Sequence, residues 1–217
     1  MKKILAIILV IGCVLSFAAC NLFKKDNERT DDASDIPAIQ AKIDASAPIS
    51  AEINVVLKSS LGNLNGVYNV TYNEDGTAFV SYSYEQFNKF EEGSSTTELK
   101  STVTGNTTVS ADGKVADSIG GVASVEAVSF DIKLDENKLE SVKIDAGALS
   151  AKIKAADTEA VLGVALAYDV DIIITTGSNG VTAIAISYTT TSGPVEINAS
   201  YSYPVPEVEE EGEESAE

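Results

Sequence analysis

Between Ala51 and Tyr203, apolar side chains fall on alternate residues in run after run, with tight-turn dipeptides between the runs. Ile53, Val55 and Leu57 alternate with Asn54, Val56 and Lys58; Tyr68, Val70 and Tyr72 alternate with Asn69 and Thr71. A period of two places successive side chains on opposite faces of a strand, so each run has one dry and one wet face. Asp75-Gly76, Asp112-Gly113 and Asn179-Gly180 are dipeptides that supply the positive φ of two-residue hairpin turns. Strands joined this tightly pair antiparallel. Nine or ten of them in succession are too many for a flat open sheet. The expected fold class is mainly β: one strongly curved antiparallel sheet, half-barrel or barrel-like, with a sandwich as the other way to curl it.

The remaining strands are expected at Ala78, Val80, Tyr82 and Tyr84, then more weakly around Leu99, Val103 and Val109. Val128, Phe130, Ile132 and Leu134 predict a further strand, which Asp135-Glu136-Asn137 turns into Val142 and Ile144. Leu149, Ala151 and Ile153 follow, then a long regular strand from Val164 to Ile174, then Ile184 to Tyr188, and last Val195 to Tyr203. Two helices interrupt the pattern. The first spans about 36–46, with Asp35 as cap, Pro37 in the first turn, Ile36, Ile39 and Ile43 on one face, and Pro48 beyond its end. The second, Thr158 to Leu162, lies between Asp157 as cap and Gly163 as stop. They are the predicted lids of the concave face. Tyr68-Asn-Val-Thr echoes Tyr168-Asp-Val-Asp, either as a duplicated half or by chance between two hairpins.

The N-terminus has a different logic. Lys2 and Lys3 precede an apolar run from Ile4 to Leu15, the layout of a secretory signal. Ile4 to Ala19 is shorter than the ~20 residues that span a bilayer. Phe17-Ala18-Ala19-Cys20 closes the run and resembles the lipobox of bacterial lipoproteins, although that family usually has Leu where Phe17 stands. The resemblance implies that Cys20 receives a diacylglycerol on its thiol and that the chain is cut just before it. Two acyl chains anchor a protein stably where one does not. Ordinary secretion, with cleavage after Ala18, would leave Cys20 as an unpaired extracellular thiol. The organisation expected is a signal peptide at 1–19, a lipidated flexible tether at 20–35, one antiparallel β domain at 36–203 and a disordered acidic tail at 204–217. The expected location is extracytoplasmic, lipid-anchored to the membrane of a bacterial cell envelope.

Composition excludes several chemistries. Losing Lys2 and Lys3 with the leader lowers the basic count from 15 to 13 against 33 acids, a mature net charge of −20. Such a surface repels nucleic-acid phosphates and anionic headgroups, so no nucleic acid is expected as a partner. The chain has no histidine and no tryptophan. Cys13 leaves with the leader and Cys20 is consumed by the lipid, which removes thiol nucleophiles and the usual zinc and iron sites. No Gly-x-Ser-x-Gly elbow, Ser-x-x-Lys pair, Gly-x-x-x-x-Gly-Lys loop or Gly-x-Gly-x-x-Gly fingerprint occurs. A pair of carboxylates is the one catalytic device left, and the acids sit mostly in turns, on wet strand faces and in the tail. We therefore expect no enzyme, no metal and no cofactor. Asn73-Glu74-Asp75-Gly76 reads as a turn rather than a calcium loop. Three Asn-x-Ser/Thr triplets read as accidental strand polarity.

All eight tyrosines fall on the apolar parity of their strands. Tyr68, Tyr72, Tyr82, Tyr84, Tyr168 and Tyr188 are the candidate ligand-lining residues, because tyrosine gives a groove an apolar floor and polar tips. The competing reading is that tyrosine is simply a good strand residue with its hydroxyl at the rim. Two functions stay open. One is binding of a small apolar or lipid-like ligand on a Tyr-lined concave sheet. In outline this is similar to the lipoprotein-carrier and mycobacterial lipid-binding lipoprotein folds, an analogy of architecture with no shared motif. The other is a surface interaction or structural envelope module with a filled core, its candidate loop being Asn88 to Ser95, contacting an envelope protein.

Overall fold

The computed structural model describes residues 35–59, 62–87, 100–109 and 132–204. The lipobox, the Asn88–Ser95 loop, the Asp112-Gly113 turn, Val128 and Phe130, and the tail after Pro204 lie outside them.

Nine strands form a single antiparallel sheet. They are β1 (Ser50–Ser59), β2 (Gly62–Tyr72), β3 (Ala78–Phe87), β4 (Lys100–Val109), β5 (Leu139–Asp145), β6 (Ala148–Ile153), β7 (Val170–Thr176), β8 (Val181–Thr190) and β9 (Gly193–Ser202). The order β4-β3-β2-β1-β9-β8-β7-β6-β5 joins two meanders through a central β1–β9 pair. The sheet does not close: β4 and β5 are its two ends. Expected hairpin turns at Asp75-Gly76 and Asn179-Gly180 link β2 to β3 and β7 to β8.

Register carries the alternation across the whole sheet. One inward row runs from Tyr82 through Tyr68 and Ile53 to Ala199 and Ile184. It continues through Ile174 to Leu149. A slip of one residue would send every one of these side chains to the wet face. Helix α1 (Ile36–Ala45) buries Ile36, Ile39 and Ile43 in the same core, and α2 (Thr158–Leu162) adds Val161 and Leu162. Each such side chain taken from water is worth about 1.5–3 kcal/mol. Among the described residues, no helix is long and apolar enough to cross a membrane.

Four local expectations differ from what forms. Asp35 and Asp157 precede α1 and α2, but neither side chain makes a capping hydrogen bond. Ile132 to Asp135 form no strand. There the Gln40 side chain accepts from Leu134 N at 2.7 Å and donates to Ile132 O at 3.2 Å. One amide from α1 thus does the pairing a neighbouring strand would do. The long strand expected from Val164 begins only at Val170. Thr158 Oγ1 accepts Leu166 N–H at 2.8 Å and shares its proton between Ala155 O at 3.0 Å and Leu166 O at 3.3 Å. A side chain that offers a local partner in this way draws the backbone out of the ladder. Tyr168 therefore lies outside any strand, and the echo between the Tyr68 and Tyr168 segments does not extend to structure.

Candidate functional site

The candidate tyrosines separate into groups. Tyr68, Tyr82 and Tyr84 lie together, with ring centroids 6.3 Å apart for Tyr68–Tyr82 and 5.9 Å for Tyr82–Tyr84. They pack over glycines. Gly66 faces the Tyr68 ring, and a Cβ at Gly105 would stand 2.6 Å from Cζ of Tyr82. Tyr68 is only 1 % exposed, and the space between it, Tyr84 and Gly66 admits no water-sized sphere. This part of the concave face is packed.

Tyr72 stands apart, half-buried near Tyr203. Burial of its hydroxyl, with Tyr203 adding to it, pushes the Tyr72 pKa far up. Tyr203 itself donates to Val181 O at 2.6 Å, and burial raises its pKa as well.

Tyr168 and Tyr188 form the third group, nearly parallel at 14° with centroids 5.9 Å apart. They line a cavity of about 590 Å³. Its origin is the missing start of β7. The β7–β8 ladder begins at Asp171↔Ser187, while β8 runs on to Thr190. Tyr188, Thr189 and Thr190 extend past their neighbour, and residues 164–169 form no ladder with them. The result is a notch in the sheet rather than a groove along it, so residues from both faces of the sheet line it.

One wall is an outward row, Lys152, Asp171, Ser187 and Glu196, each directly opposite the next on β6 to β9. Asp169 stands at the rim, accepting Ala155 N–H at 3.1 Å and lying 3.4 Å from Lys154 Nζ. The Ala155 hydrogen bond, then Lys154, hold the Asp169 carboxyl below its usual range. Glu140 and Asp169 raise Lys154 in return. Glu196 pairs with Lys58. Both partners of that pair are more than two-fifths exposed, so it is worth under about 1 kcal/mol. Burial, with Tyr168 beside it, raises the Tyr188 hydroxyl. Among the described residues, no group of three or more His, Cys, Asp or Glu could hold a metal ion.

Sequence reasoning named Tyr168 and Tyr188 but not the row opposite them. It placed the acids mostly in turns, on wet strand faces and in the tail. No signal in the sequence marked Thr158 as the hydroxyl that captures the backbone at Leu166.

No protein-family model and no curated protein matches the chain. Among solved structures, the crystal structure of LprF from Mycobacterium bovis aligns at 14% sequence identity with a TM-score of 0.35, covering 78% of this chain and 95% of that one. At that level of likeness nothing about ligand or role passes from one chain to the other.

Proposed function

We propose that this protein is a lipid-anchored binding protein of the bacterial cell envelope, non-enzymatic, whose β domain holds a small ligand at the Tyr168–Tyr188 notch. The anchor reading rests on the Phe17-Ala18-Ala19-Cys20 segment. The binding reading rests on one observation: a 590 Å³ cavity with a parallel tyrosine pair and a convergent polar row. That volume falls within the roughly 300–1,000 Å³ of small-ligand clefts. The ligand has an apolar face and a polar edge. An extended acyl chain along the Tyr68–Tyr84 stretch would need that packed region to open.

Native mass spectrometry of the mature chain, purified gently from membrane extract, tests the reading. A reproducible extra mass that is lost on Tyr188→Ala supports it. A clean apo mass under every purification sinks it.

The packed Tyr68, Val80 and Ile53 region favours the second reading, a scaffold with a filled core that presents loops to an envelope protein. In that case covalent crosslinking in intact cells captures a partner through the loops, and Tyr188→Ala leaves the capture unchanged.

A further inference from the structure

Charge is distributed unusually around the notch. The chain as a whole carries a net charge of −18, yet each acid here faces a base. Asp171 is directly opposite Lys152, Asp169 lies against Lys154 and Glu196 pairs with Lys58. Opposite charges so placed largely cancel each other's field. Three carboxylates thus meet three ammoniums, so the notch holds little net charge with which to select a cation or an anion.

Hydrogen-bonding capacity is nonetheless high. Asp171, Ser187 and Glu196 supply acceptors, Lys152 and Ser187 supply donors, and the edge of β8 past Ser187 adds backbone groups. An acyl chain seated here would strip water from these groups without replacing it, at a cost of about 1–3 kcal/mol for each one left unpaired. What satisfies such a wall is a ligand whose groups both donate and accept. Tyr168 and Tyr188, stacked with their rings 14° from parallel, add aromatic surface beside it. The matching ligand is uncharged, rimmed with hydroxyls and apolar across one flat face.

We propose that the notch binds a neutral sugar ring, its C–H face on the Tyr168–Tyr188 pair and its hydroxyls on the Asp171–Ser187–Glu196 row. This rests on the binding reading above and specifies its ligand class. The ring belongs either to a free oligosaccharide or to the headgroup of a glycolipid, and the two share this chemistry.

Saturation-transfer NMR on the full mature chain, in a detergent without sugar groups, tests the proposal. The probes are cellobiose, N,N′-diacetylchitobiose, octyl β-glucoside, choline and hexanoate. The expected result is transfer to the ring protons of at least one glycoside. Tyr188→Ala then weakens binding tenfold or more and Asp171→Asn by about threefold, while Ser81→Ala on the outer face of β3 changes nothing. Transfer from cellobiose or chitobiose assigns the ring to free glycan; transfer from octyl β-glucoside alone assigns it to a glycolipid headgroup. If choline or hexanoate binds at the notch and no glycoside does, the sugar assignment fails while the binding reading stands. If no probe binds and native mass spectrometry is clean, both fail. Glycoside binding that survives both Tyr188→Ala and Asp171→Asn places the sugar elsewhere and overturns the assignment.

Discussion

The hydroxyl end of the Tyr82 ring reaches over Gly105, its directly opposed partner on β4, close enough to exclude a methyl group. The glycine interrupts a strand rich in β-branched residues, and the tyrosine covers the backbone that it leaves bare. A Gly105→Ala substitution forces the Tyr82 ring off its seat and costs about 1–3 kcal/mol, as overpacking does. Thermal unfolding should show a drop of about 2–4 °C per kcal/mol for a chain of this size. Tyr82→Ala should abolish the effect of Gly105→Ala, which a double-mutant cycle measures directly.

Ser46 closes α1 onto the β7–β8 hairpin. Its Oγ accepts Val181 N–H at 2.8 Å and donates to Lys42 O at 2.7 Å, and Ser46 is buried. Ser46→Ala leaves the Val181 N–H without this acceptor and costs about 1–3 kcal/mol. Urea unfolding should show a lower midpoint with an unchanged slope; an unchanged midpoint would refute the estimate of its role.

Thr158→Val keeps the shape of a fully buried side chain and deletes the hydroxyl that holds Leu166. Beyond a loss of about 1–3 kcal/mol, it frees residues 168–170 to pair with Tyr188–Thr190 of β8. Faster hydrogen exchange at Leu166 N, together with loss of any ligand signal at Tyr188, is the expected pair of changes.

Titration separates the tyrosines. Burial raises Tyr72, Tyr188 and Tyr203 above the ordinary value of 10.0. A phenol whose folded pKa is raised adds stability that is complete below pH 10 and lost as pH climbs toward the folded value. Phenolate absorbance in the native protein should therefore lag that of the denatured chain above pH 10 and catch up only on alkaline unfolding. Asp169 behaves in the opposite sense. Its lowered pKa means that its hold on Ala155 N–H is intact above 3.8 and fails as pH falls through the folded value. Protection of the Ala155 amide should fall in that acid window and be absent at all pH values in Asp169→Ala.

At the other end of the chain, Cys20→Ala should abolish incorporation of labelled fatty acid and release the protein from membranes. Retention on the membrane by the variant would count against the lipobox reading.

Much of the β domain was legible because two signals agreed at each element. Asn179-Gly180 supplies the turn and Ile184 and Ile186 supply the period, so β8 forms where both point. Ile36, Ile39 and Ile43 share a helical face and are buried together. The reading broke at Ile132–Leu134 and Val164–Tyr168, where the apolar period is equally good. In each case a polar side chain from a helix, Gln40 or Thr158, satisfies the backbone groups a strand would use, and period-two counting does not register a side chain bonded to backbone. The candidate tyrosines divided for a related reason. Parity assigns Tyr68, Tyr82, Tyr168 and Tyr188 to one face, but only the glycines opposite them and the early end of β7 determine which are packed and which border open space.

The central β1–β9 pairing has a consequence for how the molecule comes into being. Ile53 waits for Ala199, and nothing nearer in the chain can take that place. A polypeptide made from its N-terminus can assemble β1 to β4 early and β5 to β8 later, but the two halves stay unjoined until the last strand arrives. Contacts this distant in sequence slow folding and prolong the time during which strand edges stand open. Termination just before Gly193 therefore leaves two half-sheets, each with a sticky margin, and this protein depends on its final ten strand residues for its solubility as much as for its shape.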